Sequence, residues 1–420
     1  MAVQFARFGN GTLPFRVASR VNYVNFYRGE CQMNSVELFA GAGGLGMGLS
    51  LAGFEAQAVV EWDKGACDTV RENISRGFPY VAGWPIWEGD VRVWIEEFCG
   101  SGQRSEIALV GGGPPCQPFS MGGKHQAYND DRDMWPEAVR AVKEVRPKAF
   151  VFENVKGLTR QSFATYVSYV ELQLRHPSIA KKKCEQWSDH LSRLQRHEVG
   201  RSKDKEEYRV LFFQLNAADY GVPQKRERVM FVGFRSDLGI RWSPPKPTHS
   251  SEALIWSKCR DVEYWERHQI RQADRNNSAK NIASAFRLST MPKERSWLTI
   301  RDAISDLPDP EECIGSIPNH RFQAGARSYP GHTGSPLDEP AKTLKAGVHG
   351  VPGGENMLVK SDGSVRYFTV RESARLQTFP DNYLFEGSWS ESMRQLGNAV
   401  PVTLAKIIAK DIAKHLRGNE

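Results

Sequence analysis

The sequence has no long apolar run. Its 420 residues contain no stretch near the roughly 20 consecutive apolar residues that span a bilayer. The N-terminus, MAVQFARFGNGTLPFRVASR, lacks the apolar region of a signal peptide. We therefore expect a cytoplasmic protein with no membrane partner.

Cysteine is scarce and scattered. The seven cysteines are odd in number, and no two of them form a CxxC pair. Neither a disulfide framework nor a structural zinc site is expected from this pattern. We predict a protein without a bound metal.

The charge excess is small. Lys and Arg number 56 against 49 Asp and Glu, which leaves a formal net charge of +7. This excess is compatible with a polyanionic partner such as nucleic acid but does not require one. The composition, 25% charged and 40% hydrophobic, is ordinary for a globular protein.

Short apolar runs alternate with helix-like segments from residue 35 onward. The runs predict strands at 35–39, 57–62, 107–110, 149–152 and 229–232, with helices at 45–52, 64–75 and 135–144. This alternation predicts an α/β fold, a parallel sheet with helices on both faces. A last helix is predicted because apolar residues recur every four positions, at Leu404, Ile408, Ile412 and Leu416.

The chain divides by composition into four parts. Residues 1–34 form an N-terminal extension, 35–235 a first domain, 236–364 an irregular lobe rich in Gly and Pro, and 365–420 a C-terminal segment. A polar insertion at about 170–205 carries Lys181, Lys182 and Lys183. These lysines either belong to a solvated helical insertion or contact a phosphate backbone.

The first predicted strand ends in a glycine-rich turn, FAGAGGLG, at residues 39–46. Such a turn lets a ligand approach the backbone and the N-terminus of the next helix, although a simple tight turn has the same composition. Glu61 follows about 20 residues later and could bind a ribose diol, Trp62 could stack on a base, and Asp90 could accept from an adenine amino group. The spacing suits a nucleoside-bearing cofactor, either a dinucleotide or S-adenosylmethionine.

A single cysteine stands between prolines in GGGPPCQPFS, residues 111–120. Glycine leaves the backbone free, whereas proline locks φ, so the segment predicts a stiff loop that holds the thiol of Cys116. An inert buried cysteine is the alternative. Its place after a predicted strand, at the ligand-binding edge of an open α/β sheet, favours a reactive thiol.

Two further segments carry charges that complement a thiol. Glu153 ends a predicted strand, and an acid beside a thiolate is suited to addition to an electron-poor ring. Arg226 and Arg228, at i and i+2, would lie on one side of an extended strand. Without the neighbouring cysteine segment, Glu153 would be interpreted as a surface carboxylate, and Arg226 and Arg228 as the solvated basic edge of a strand.

Eight segments in one order resemble the motif set of the DNA (cytosine-5) methyltransferases of bacterial restriction–modification systems. They are FAGAGG, EW, GD, GGGPPCQPFS, ENVKGL, YGVPQKRER, FTVRESARLQTFPDNY and QLGNAVP. The resemblance covers residues 35–235 and 365–416. It implies a Rossmann-like sheet of the S-adenosylmethionine-dependent methyltransferase type, with 35–235 as the catalytic domain and 365–420 returning to it.

The resemblance also implies roles for individual residues. Cys116 would be the nucleophile that adds to C6 of cytosine, and Glu153 would hydrogen-bond N3 and the exocyclic amine. The base, the nucleophile loop and Glu153 would be positioned by Gln224, Arg226 and Arg228. S-adenosylmethionine would be held by Phe39, Gly41, Gly43, Glu61, Trp62, Asp90, Val91, Pro114 and Asn398.

The lobe at 236–364 occupies the place of a target recognition domain, which implies double-stranded DNA as partner. Its polar side chains are candidate DNA readers: Asn319, His320, Arg321, Gln323, Arg327, Lys342, Lys345 and His349. We expect a monomer and a cognate restriction endonuclease encoded nearby. The alternatives are an RNA cytosine-5 methyltransferase, an inactive DNA-binding partner and a dinucleotide oxidoreductase.

Overall fold

The computed structural model describes residues 33–100, 106–115, 133–199, 207–312, 315–346, 356–360 and 362–418. Cys116, His349 and almost all of the predicted N-terminal extension lie outside these ranges. Within them, no helix has the length and apolar character needed to span a membrane.

Seven strands of the described chain form one sheet, in the order β3-β2-β1-β4-β5-β7-β6. Their bounds are β1 Met33–Leu38, β2 Phe54–Glu61, β3 Ile86–Glu88, β4 Ile107–Gly112, β5 Ala149–Val155, β6 Tyr208–Asn216 and β7 Glu227–Arg235. The first five strands pair in parallel, as predicted.

β7 departs from the prediction of a parallel sheet, because it runs antiparallel to both of its neighbours. A parallel neighbour of β6 would need a crossover of a dozen or more residues, usually a helix. The link between β6 and β7 holds only a short 3₁₀ turn, Ala217–Tyr220, followed by Gly221 with φ 80°. The chain therefore reverses there and inserts β7 between β5 and β6.

Helices cover both faces of the sheet, which confirms the predicted layering. The first six are α1 Gly44–Leu51, α2 Lys64–Ser75, α3 Val91–Gly100, α4 Trp135–Val145, α5 Ala164–Arg175 and α6 Trp187–Val199. On one face, Trp135 of α4 packs against Phe152 and Phe231 of the sheet. α5 and α6 account for the polar insertion.

The C-terminal helix, α13 (Val402–Arg417), packs on the opposite face against α1. Its predicted apolar positions, from Leu404 to Leu416, are all buried. α1 approaches α13 closely at Gly48, where a Cβ would come within 2.3 Å of the Cβ of Ala405. This contact brings the C-terminal segment back onto the helix that follows the glycine-rich turn.

The segment 236–364 contains more helix than was predicted, because its helices, of five to nine residues, are short and separated by irregular stretches. Its elements are β8 His249–Ser250, α7 Ser251–Cys259, α8 Glu263–Arg267, α9 Ala279–Arg287, β9 Arg295–Ser296, α10 Ile300–Ile304, β10 Ser335–Pro336 and β11 Met357–Val359. Beyond it follow β12 Val365–Tyr367, α11 Val370–Leu376 and α12 Trp389–Asn398. The boundaries of the four predicted parts stay a prediction.

Candidate active site

The turn after β1 is tightly packed at Gly43 and Gly44 but open at Gly41. Residues Phe39, Gly41 and Gly43 all have positive φ, between 55° and 79°. A Cβ at Gly43 would lie 2.7 Å from Trp84, and one at Gly44 would lie 2.3 Å from a main-chain oxygen. A Cβ at Gly41 would meet nothing within 4 Å. The turn therefore leaves space for a ligand on the side of Gly41.

Glu61 ties this turn to the end of β2. Its carboxylate accepts hydrogen bonds from the amide of Gly41 at 2.7 Å and from those of Trp62 and Asp63 at 3.0 and 2.8 Å. Burial raises the pKa of Glu61, against the effect of these amides. The neighbouring indole of Trp62 is 73% exposed. The strand end thus presents a fixed carboxylate and a free aromatic face.

The other proposed cofactor residues lie at the ends of neighbouring elements. Asp90 follows β3, and its carboxylate accepts from the amide of Arg92 at the start of α3, where Val91 is buried. Pro114 follows β4. Because β1 to β4 are parallel, these ends share one edge of the sheet. Asn398 is exposed at the end of α12, just before residues that pack on α1.

Glu153 and Arg228 form a buried pair at the same edge. The Nε atom of Arg228 lies 2.5 Å from Oε1 of Glu153, and both residues are 7% exposed. The inverted direction of β7 places the start of that strand beside the carboxyl end of β5. Burial lowers the pKa of Arg228, while the charge of Glu153 acts in the opposite direction. The pair holds a carboxylate in a site that excludes most water.

Asn154 connects this pair to the loop that leads to Cys116. Its Nδ2 donates to the carbonyl of Pro114 at 3.0 Å, and the bond is buried. A Cβ at Gly113 would lie 3.5 Å from Oε2 of Glu153. The beginning of the predicted nucleophile loop therefore lies beside Glu153. The sequence contained Asn154 within ENV, but nothing in the pattern indicated this contact.

Arg226 does not share the environment of Arg228. Its guanidinium is fully buried and donates to the carbonyls of Leu344, Gly397 and Ala399 at 3.1, 2.7 and 2.8 Å. The residue precedes β7, so the i, i+2 rule for a strand does not apply to it. Its contacts hold chain segments together, and its predicted role in positioning the base and Glu153 stays a prediction.

Gln224 lies in a buried environment similar to that of Arg226. Its side chain is fully buried, donates to the carbonyl of Leu376 at 3.2 Å and accepts from the amide of Leu344 at 3.0 Å. Both contacts are with main-chain atoms of distant segments. Gln224 thus connects the segments that contain Leu344 and Leu376, and its predicted catalytic role stays a prediction.

Two of the candidate DNA readers are engaged inside the protein. His320 is buried, with Nδ1 2.9 Å from the hydroxyl of Thr369 and Nε2 2.9 Å from the carbonyl of Pro308. The side chain of Asn319 hydrogen-bonds both main-chain polar atoms of Phe385. The expected role of His320 as a reader was therefore wrong, whereas Asn319 is partly exposed and its role stays a prediction. The exposed candidates in the described ranges are Arg321, Arg327 and Lys345.

Glu37, in the buried strand β1, was not singled out from the sequence. It is buried, and Oε1 accepts from the amide of Gly46 in α1 at 2.9 Å, while Oε2 has no hydrogen-bond partner. Burial raises the pKa of Glu37 from 4.5 to about 8. An acidic residue between the apolar residues Val36 and Leu38 was the available signal.

Glu37 should make folding stability depend on pH. Because its folded pKa is raised, its contribution is complete below pH 4.5 and is lost as the pH rises to about 8. We expect the free energy of unfolding to fall by a few kcal/mol over this range, and to fall less in Glu37→Gln, whose amide oxygen can still accept from Gly46. Denaturant titrations across this range measure the difference. Glu55→Gln, at an exposed position, is the control, and equal slopes in both variants would contradict the prediction.

No group of three or more His, Cys, Asp or Glu side chains in the described ranges is arranged to hold a metal ion. The site consists of the open turn, the Glu61 carboxylate with Trp62, and the Glu153–Arg228 pair beside Pro114. This arrangement offers space for a ligand at the turn, next to a buried carboxylate held by a guanidinium.

Comparison with known proteins identifies related chains. The family model described as C-5 cytosine-specific DNA methylase matches residues 33–174 and 191–414. Type II methyltransferase M.PspPI of Psychrobacter sp. (strain TA137) is 32% identical over 387 residues, which cover 91% of this chain and 79% of the relative. Type II methyltransferase M.NgoMIV of Neisseria gonorrhoeae is 31% identical over 389 residues, covering 92% and 99%.

Solved structures share the fold. A DNMT2 mutant of Spodoptera frugiperda superposes with a TM-score of 0.53 at 15% identity, covering 91% of this chain and 99% of that one. The methyltransferase EhMeth of Entamoeba histolytica has a TM-score of 0.51 at 14% identity, covering 92% and 99%. At these identities the likeness concerns the fold alone.

Proposed function

Because this chain belongs to the C-5 cytosine-specific DNA methylase family, and is thus a DNA cytosine-5 methyltransferase, we propose that it acts through a covalent adduct of Cys116 with a cytosine flipped out of duplex DNA. The observation that carries the proposal is the buried Glu153–Arg228 pair beside Gly113 and Pro114, at the start of the loop that contains Cys116. The pair supports the proposal because a carboxylate beside the start of this loop could hydrogen-bond a base that the thiol attacks.

The chemistry requires both groups. C5 of cytosine is a weak nucleophile. When the Cys116 thiolate adds to C6, the C6–S bond forms and the electrons of the C5–C6 double bond become available at C5. In the complex with the base, Glu153 in its protonated form donates its proton to N3 and accepts a hydrogen bond from the exocyclic amine, which neutralises the negative charge that develops on the ring. Loss of the C5 proton after methylation then lets the sulfur leave and restores the double bond.

The base must leave the stack for this addition. A thiol approaches C6 from the face of the ring, which is covered by neighbouring bases in a duplex, so the target nucleotide is extruded into the site. Arg228 keeps the Glu153 carboxylate in place, and Asn154 fixes the loop at Pro114. Gln224 and Arg226 hold the surrounding segments.

The residues of the open turn fit S-adenosylmethionine. Glu61 would accept from the ribose hydroxyls, Trp62 would stack on the adenine, Asp90 would accept from its amino group, and the space beside Gly41 accommodates close approach to the backbone. Phe39, Gly43, Val91, Pro114 and Asn398 would complete the pocket. When bound, this group supplies an electrophilic methyl on a sulfonium.

Trp62→Ala should weaken cofactor binding. Loss of stacking on a base costs about 1–3 kcal/mol, so we expect the KM for S-adenosylmethionine to rise on the order of 10-fold, with little change in the KM for DNA. Steady-state kinetics with each substrate varied in turn measure both. Tyr329→Ala, which removes another exposed aromatic ring, is the control and should leave the cofactor KM unchanged. A normal cofactor KM in Trp62→Ala would place the adenine elsewhere.

The names of the relatives point to the biological role. Both curated relatives are Type II methyltransferases, and we propose that this enzyme likewise protects host DNA against a cognate restriction endonuclease. It would act as a monomer in the cytoplasm, on chromosomal DNA.

Methyl transfer to duplex DNA tests the assignment directly. Purified enzyme with labelled S-adenosylmethionine should label duplex DNA and leave tRNA unlabelled. Sequencing of 5-methylcytosine in the DNA of an expressing host should show one recurring site. Labelling of tRNA alone, or of neither substrate, would refute the proposed substrate.

A further inference from the structure

α9 exposes its apolar face to solvent. Ala279, Ile282, Ala283 and Phe286 recur at i, i+3, i+4 and i+7 and so form one stripe along the helix. All four are exposed, Ile282 to 41% and Phe286 to 73%. Ala285, on another side, is the buried residue of this helix. An amphipathic helix of a globular protein normally turns such a stripe inward, so this face is available to a partner.

The polar side of α9 anchors the helix instead. The Nδ2 atom of Asn281 lies 3.5 Å from Oε1 of Glu339, and the hydroxyl of Ser278 caps the first turn by accepting from the amide of Asn281. The helix also packs against α7. These contacts hold the apolar stripe outward.

Positive charge borders the stripe. The sequence from 275 to 293 contains four basic residues, Arg275, Lys280, Arg287 and Lys293, and no acidic residue. Lys280 and Arg287 are exposed and lie two turns apart along one edge of the stripe. At its end, the exposed guanidinium of Arg260 lies over the rings of Trp256 and Phe286. A second copy of this chain would bring like charges together, whereas a polyanion complements them.

A chain of contacts leads from α9 to the proposed active site. Glu339, which Asn281 contacts, also lies 3.4 Å from Nζ of Lys225. Lys225 precedes Arg228, the partner of Glu153, by three residues. Thr343 donates its hydroxyl proton to the carbonyl of Lys225 and joins the same segment to the lobe. α9 is thus connected to the segment that precedes β7, the strand that contributes Arg228 to the Glu153–Arg228 pair.

We propose that α9 is a recognition helix that enters the major groove of the DNA next to the flipped cytosine, an inference that rests on the proposed function. The groove is about 12 Å wide and admits one helix. Ile282 and Phe286 contact base edges, with the thymine methyl as the apolar feature they can select. Lys280 and Arg287 contact phosphates and set the position of the helix.

The phosphate contacts are tested with a double variant, Lys280→Gln with Arg287→Gln. The probe is a short duplex that contains the site the wild type methylates in host DNA. Each lost contact should lower the slope of log affinity against log salt by about 0.9, alike for specific and nonspecific duplexes, and kcat at saturating DNA should be retained. Lys414→Gln removes an exposed lysine of α13 and serves as the control.

The base contacts are tested with Ile282→Ala and Phe286→Ala. Both positions are exposed, so the fold should be retained, which circular dichroism checks. We expect the preference for the methylated site over duplexes with one changed base pair to fall on the order of 10-fold at one position of the site. The salt slope should not change. Val93→Ala, at an exposed position of α3, is the control.

The outcomes separate this inference from the proposed function. If the wild type does not methylate duplex DNA, the proposed function is refuted, and so is the proposal for α9 that rests on it. If the wild type methylates DNA while all α9 variants match Lys414→Gln and Val93→Ala in salt slope and site preference, the recognition helix alone is refuted. A change of oligomeric mass in sedimentation with unaltered DNA properties would likewise overturn it, in favour of a protein interface.

Discussion

Cys116→Ala is expected to abolish methyl transfer and leave DNA binding intact. Without the thiolate no bond forms at C6, so C5 cannot attack the methyl group, whereas phosphate contacts do not involve this side chain. Cys116→Ser should also fail, because a hydroxyl near neutral pH is far less ionised than a thiol. Labelled methyl transfer and a gel-shift assay on the same duplex measure the two properties.

A trapping experiment identifies the nucleophile itself. Duplex DNA with 5-fluorocytosine at the target should form a stable adduct with the wild type, since fluorine cannot leave C5 as the proton does. The adduct should be missing in Cys116→Ala and present in Cys184→Ala, which removes another cysteine, exposed at the surface. Substantial methyl transfer by Cys116→Ala would refute the proposed mechanism.

Glu153→Gln is expected to lower the rate of methyl transfer by about 10²–10⁴. The amide can still donate a hydrogen bond to the base but cannot supply a proton. The substitution also leaves the buried guanidinium of Arg228, 2.5 Å away, without its anionic partner. Single-turnover kinetics at saturating DNA and cofactor measure the chemical step, and thermal unfolding reports any loss of stability separately.

Glu227→Gln provides the matched control for this prediction. Glu227 is the immediate neighbour of Arg228, but its carboxylate is exposed and pairs with Lys156 at 2.7 Å. It should retain a near-normal rate. A rate near the wild-type value in Glu153→Gln, with the fold intact, would reduce Glu153 to a structural carboxylate.

Much of the fold and the site could be predicted from residue order. The family resemblance is confirmed by the match over 33–174 and 191–414, and the layered α/β sheet is confirmed by its two helical faces. Glu61 ends a parallel strand, and Asp90 and Pro114 each follow one, so adjacency of the strands brings them to one edge. Their assignment to S-adenosylmethionine, like that of Cys116 to the adduct, stays a prediction.

The separate environments of Arg226 and Arg228 could not be predicted. The two residues stand two positions apart, yet one binds main-chain carbonyls 118 to 173 residues further along the chain and the other binds Glu153. No local pattern encodes partners at that distance. The antiparallel direction of β7 could not be predicted either. Which strands lie beside β7 depends on the path of the chain between strands, and the composition of a strand does not reveal that path.

The sequence by itself determined the family, the alternation of strands and helices, and the strand ends at which we propose that the chemistry occurs, because these depend on local composition and order. The tertiary structure decided which side of each amphipathic or charged element faces inward. Periodicity in α9 marks an apolar stripe as it does in α13, yet the stripe of α13 is buried and that of α9 is exposed. Which side of a helix is buried depends on the surface that packs against it. For α9 one such contact is Asn281 near Glu339, and for α13 it is Ala405 against Gly48. Both partners come from distant parts of the chain.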